Sequence, residues 1–145
     1  MRAPLLRAMA LAAFLGCGAA PALAEDCPQE ALDVPVPALY GRWTVRFDDG
    51  APMGVQLAAH PEYEGSVRGT IVRVGGAGPV TAQLAGDVDD AGLLTLDESQ
   101  DGQRISAVWS GGMQKDSCGK EFQGTWRNSE DDSTQRFVLR KDPSR

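Results

Sequence analysis

Gly41-Arg42-Trp43-Thr44-Val45-Arg46-Phe47 places an apolar side chain at every second position and a charge or hydroxyl between. A period of two is the mark of an extended strand that buries one face and wets the other. The same alternation recurs down the chain. Met53, Val55 and Leu57 oppose Gln56; Val67, Gly69 and Ile71 oppose Arg68 and Thr70; Val80, Ala82 and Leu84 oppose Thr81 and Gln83. Leu94 and Leu96 flank Thr95. Ile105, Ala107 and Trp109 oppose Arg104 and Ser106, Phe122, Gly124 and Trp126 oppose Gln123 and Arg127, and Phe137 and Leu139 oppose Arg136 and Arg140. That predicts about eight short strands.

Between them lie residues that reverse a chain: Asp48-Asp49-Gly50, His60-Pro61, Gly75 to Pro79, Asp89 to Gly92, Asp101-Gly102, Gly111-Gly112 and Ser129 to Ser133. No stretch sustains a 3.6-residue period. Short sequential connections favour an all-β, eight-stranded antiparallel up-and-down barrel, which leaves no exposed edge. A two-sheet β-sandwich is the alternative. The outward residues are polar, unlike the apolar belt of an outer-membrane barrel.

Upstream, Pro28, Pro35 and Pro37 withhold backbone donors, so residues 25–39 are expected to be an extended N-terminal arm. Before it, Arg2 and Arg7, the apolar run Leu5 to Leu15, and Ala22-Leu23-Ala24 have the three-part layout of a cleavable signal peptide. The expected organisation is signal 1–24, arm 25–39 and barrel domain 40–145, in a periplasmic or secreted protein. Phe14-Leu15-Gly16-Cys17 loosely resembles a lipobox, and lipidation of Cys17 would be the one route to a membrane. Cleavage after Ala24 removes two basic residues and takes the formal charge from −6 to −8. So acidic a chain is a poor partner for nucleic acid.

Cleavage also leaves two cysteines, Cys27 and Cys118, which an oxidising compartment would pair. With the lone His60 they show no ligand spacing, so neither metal nor cofactor is expected. His60 precedes Pro61 in a loop, and no strained nucleophile turn is present, so no catalytic residue is expected. Asp87 to Glu98 matches part of a calcium loop, with Gly92 sixth and Glu98 twelfth. Its flanks read as strands where that loop needs helices, which favours a hairpin turn. The carboxylates near Glu98 to Asp101 and Glu130 to Asp132 read as solubilising turn residues.

Gly41-Arg42-Trp43 resembles the G-x-W opening of the calycin barrels, the lipocalin and avidin superfamily. Arg68-Gly69-Thr70, Val108-Trp109-Ser110 and Gln135 to Arg140 are similar in order to an avidin-like chain. The resemblance implies that Trp43 plugs the closed end beside Arg140. It also implies no biotin site, because the positions of the polar ligand groups hold Val45 and Ile71. Size, one disulfide, an arm and a G-x-W strand are similar also to small periplasmic inhibitors of metalloproteases. The inward face reads as almost wholly apolar, so the interior is either a packed core or an apolar cavity. The expected function is a non-enzymatic exported binding module that takes a small apolar ligand, on Trp109, Trp126 and Phe122, or a protein partner. The alternative is a protease inhibitor that presents Glu25 to Pro37, and an enzyme ranks third.

Overall fold

A computed structural model describes residues 26–144 together with Gly16 and Gly18; the expected signal segment lies outside the described residues apart from those two glycines. Eight strands follow in order: β1 Gly41–Phe47, β2 Met53–Ala59, β3 Val67–Gly75, β4 Gly78–Val88, β5 Leu93–Ser99, β6 Ala107–Met113, β7 Glu121–Asn128 and β8 Thr134–Lys141. Each pairs antiparallel with the next, and β8 returns to β1, closing the barrel. The protein is therefore an up-and-down barrel and not a sandwich. Among the described residues, no helix is long and apolar enough to cross a membrane.

The period of two becomes the packing of the interior. Trp43, Val45 and Phe47 are buried from β1, Val55 and Leu57 from β2, and Phe122, Phe137 and Leu139 from β7 and β8. The closing pairs Val45↔Leu139 and Phe47↔Phe137 set apolar side chains next to each other across the β1–β8 seam. Two residues on the inward parity fall outside the packing. Val80 is about half exposed because β4 overruns the barrel rim with β3, and Ile105 is exposed because β6 begins only at Ala107.

Where the tight barrel brings backbones together, glycine occupies the inward positions. A Cβ on Gly124 would lie 1.9 Å from the carbonyl oxygen of Ser110, and one on Gly69 1.9 Å from that of Gln56. Backbone cannot yield there as a flexible side chain would. Gly69→Ala is expected to cost about 3 kcal/mol, the upper part of the overpacking range, in urea denaturation. A loss below about 1 kcal/mol would show that the strands can part at that point.

The arm closes one end. Pro35 and Pro37 suit the first turn of a helix as well as extended chain, and they do both here. Ala31–Asp33 and Val36–Leu39 form two short 3₁₀ turns joined by extended residues, where an uninterrupted extended arm was expected. Ala31, Val34 and Leu39 are buried against the barrel. Cys27 is disulfide-bonded to Cys118 of the β6–β7 loop, 91 residues on. Trp43 stands beneath this plug and donates its indole N–H to the Leu39 carbonyl at 2.9 Å.

The cation beside Trp43 is Lys141, with Nζ 5.6 Å from the ring centroid, and not Arg140. Arg140 faces outward and pairs with Glu121 at 2.8 Å. The reason is parity: Phe137, Leu139 and Lys141 share the inward face of β8, and Arg140 lies between them. Lys141 also donates to the Ala38 carbonyl, tying the last strand to the arm.

Candidate functional site at the open end of the barrel

The opposite end holds two charged side chains on the inward faces of their strands. Arg73 is the fourth residue of the inward series Val67, Gly69, Ile71, and Glu98 the third after Leu94 and Leu96. Both point inward, so the expectation of an almost wholly apolar interior is corrected. Glu98 is 1 % exposed and is not a solvated turn carboxylate. Its Oε1 accepts from Arg73 Nε at 2.7 Å, and its Oε2 from Arg73 Nη2 at 2.9 Å. Oε2 accepts also from the indole N–H of Trp109 at 2.8 Å and of Trp126 at 3.0 Å.

Register produces this convergence. Trp109 and Trp126 are direct partners across β6 and β7, and Glu98 lies opposite Ala107, two residues before Trp109. The small Ala107 leaves room for the carboxylate between the two indoles. Arg73 comes from β3 across the mouth. Its guanidinium sits 4.8 Å from the Phe47 ring centroid and 5.3 Å from that of Trp126, a cation–π arrangement with two neighbouring rings. Burial by itself raises the Glu98 pKa. The hydrogen bonds and charge of Arg73, with the two indole donors, outweigh that and hold the carboxyl below its ordinary value. Among the described residues, no buried side-chain nitrogen or oxygen lacks a hydrogen-bond partner.

Above this floor opens a cleft of about 730 Å³. The β5–β6 loop forms one wall with Gln100, Asp101, Arg104, Ile105 and Ser106; the end of β7 and the β7–β8 loop form the other with Asn128, Ser129 and Glu130. Arg73 and Trp126 lie at its base. The walls are laced. Asp101 Oδ1 accepts from the backbone of Arg104 and Gln103, both at 2.8 Å, which brings its pKa down to about 2. Asn128 Oδ1 accepts from the Glu130 backbone at 2.8 Å, and the Ser129 backbone N–H donates to the Ser106 carbonyl at 3.0 Å, joining the two loops.

Of the three aromatic residues expected to meet a ligand, the structure places Trp109 and Phe122 fully inside the packing, each 0 % exposed. Phe122 belongs to the closed end, 6.1 Å from Trp43, and Trp109 packs on Phe47 and Phe137. Trp126 alone reaches the cleft. Arg73 and the polar loop residues escaped a reading centred on apolar side chains. The signal that finds Arg73 and Glu98 is the strand parity, continued two residues past the last apolar position.

Elsewhere, His60 Nδ1 accepts from the backbone of Glu62 and Tyr63, both at 3.1 Å, as the organiser of the β2–β3 loop. Asp89 Oδ1 accepts from the backbone of Ala91 and Leu93, each at 3.0 Å, so the stretch with partial calcium-loop spacing is a hairpin turn. Among the described residues, no three His, Cys, Asp or Glu side chains are grouped to hold a metal. No protein-family model matches the chain, and no curated protein matches it.

Proposed function

We propose that this is an exported, non-enzymatic binding module of calycin type that takes a small ligand at its open end, between the β5–β6 and β7–β8 loops. One observation carries the reading: the cleft over Trp126 and Arg73 has walls already fixed by their own hydrogen bonds. A preorganised site loses little to ordering when a ligand arrives. Its volume lies inside the ~300–1,000 Å³ typical of small-molecule sites. The disulfide supports export, since such bonds persist in oxidising compartments.

The side chains support binding over catalysis. Glu98 is 1 % exposed and its two oxygens already accept from four donors, the bonding of a structural carboxylate, and His60 stands at the other end of the barrel with Nδ1 engaged. The burial of Ala31, Val34 and Leu39 supports a structural role for the arm as the plug of the closed end.

Amide and indole chemical shifts test this. A ligand found by screening a fragment library is expected to move Ser106, Asn128 and the Trp126 indole N–H, and Ser129→Trp, which fills the cleft, is expected to abolish binding. Shifts confined to the closed end around Trp43 and Leu39 would refute the assignment.

A further inference from the structure

Resting on the reading of the open end as a binding site, the composition of the cleft points to a class of ligand. We infer that it takes an uncharged, polyhydroxylated molecule, an oligosaccharide, laid against the Trp126 ring. Eight of the ten lining residues are polar, and only Ile105 and Trp126 are apolar. A wholly apolar ligand would strip water from those polar groups and offer no replacement hydrogen bond. The charges do not favour an anion. Arg73 is paired with Glu98 and Arg104 with Asp101 of the same loop, which leaves the carboxylate of Glu130 over. A strongly anionic ligand would meet no net positive field here, on a chain whose formal charge is −6.

What remains is dense and two-sided hydrogen-bonding capacity. The amides of Gln100 and Asn128 both donate and accept, Ser129 does the same through its hydroxyl, Ser106 accepts while its own hydroxyl hydrogen goes to the Glu98 carbonyl at 3.1 Å, and Glu130 accepts. Arg73 spends Nε and one Nη2 hydrogen on Glu98, and its Nη1 edge is the part left to donate. The Trp126 N–H is spent on Glu98 as well, so the indole offers the cleft ring carbon only. A pyranose ring matches both halves of that surface. Its C–H face packs on aromatic carbon, and its hydroxyls, each donor and acceptor, radiate from the ring edge toward the walls.

The test is a titration of the intact mature protein with maltotetraose, chitotetraose and xylotetraose, read by amide and indole chemical shifts. Laurate and a capped, uncharged heptapeptide serve as competing classes. At least one oligosaccharide is expected to move the Trp126 indole N–H together with Ser106 and Asn128, saturably at millimolar concentration. Gln100→Ala and Asn128→Ala change rim residues and leave the core intact; each is expected to weaken that binding about tenfold, the cost of one lost hydrogen bond. If laurate or the heptapeptide moves these resonances and no oligosaccharide does, the saccharide assignment falls and the binding module stands. If oligosaccharide binding is untouched by both substitutions, the cleft is not where they bind, and the assignment falls as well. If no probe of any class moves the cleft, both readings fall together.

Discussion

Glu98→Ala is expected to be the most damaging single substitution in the barrel, costing about 3–5 kcal/mol in urea denaturation. It removes a carboxylate that is 1 % exposed and leaves behind a guanidinium 22 % exposed with no counter-charge. It also strands two indole donors, of which that of Trp109 is fully enclosed. An unsatisfied buried donor costs about 1–3 kcal/mol, comparable to a sizeable part of a small domain's whole stability. The damage comes from orphaning partners and not from losing a bond of unusual strength. Replacing both charges by hydrocarbon, in Arg73→Met with Glu98→Leu, is therefore expected to recover most of the loss. A single variant losing under about 1 kcal/mol would show that water enters the mouth and serves the orphaned groups.

The same carboxylate sets an acid limit. Its folded-state pKa lies below its ordinary value, so the unfolded chain binds the proton more readily. The Glu98 contribution is complete above the unfolded carboxylate pKa. It is lost as pH falls through the lower, folded value. Stability of the native protein is expected to decline on acidification below the ordinary carboxylate range, with a shallower decline in the charge-free double variant. Parallel pH profiles for the two proteins would show that other acids control the response.

Strand parity carried most of the architecture, because each strand buries one face and the turns between them are rich in Gly, Asp and Pro. Eight strands in meander order follow from that alone, and closure follows from the need to satisfy edges. Parity was equally able to place Arg73, Glu98 and Lys141 inside, since each continues an apolar series by two residues. What hid Arg73 and Glu98 is that a buried charge is paid for by partners on other strands. Glu98 needs Arg73 from β3, 25 residues away, and Trp126 from β7, 28 residues away. A pattern examined one strand at a time cannot register that three strands deliver donors to one point. The cleft walls were less legible still. Asp101 and Asn128 shape their loops through local backbone hydrogen bonds, and the same residue types cap ordinary turns.

Reduction of the Cys27–Cys118 bond, or its replacement by serines, is expected to cost on the order of 4 kcal/mol, because the bridge spans 91 residues and loop-closure entropy rises with the logarithm of that length. Most of this effect lies in the unfolded chain, which the bridge holds in a large ring. A native-state share comes from the plug. Without the tether, Ala31, Val34 and Leu39 stay docked only by their own burial and by the Trp43 and Lys141 hydrogen bonds to Leu39 and Ala38. The two shares separate experimentally. Urea denaturation of the oxidised and reduced proteins reads the sum. Hydrogen exchange of the Tyr40 amide, which donates to the Pro37 carbonyl at 3.2 Å, reads local opening of the arm. A large loss of stability with unchanged protection there would assign the effect to the unfolded state. Faster exchange at Tyr40 with little global loss would make the disulfide chiefly a lock on the plug. Because the cleft lies at the other end, its ligand affinity is expected to survive reduction in protein that remains folded. Loss of binding by such protein would mean that the plug holds the shape of the whole barrel.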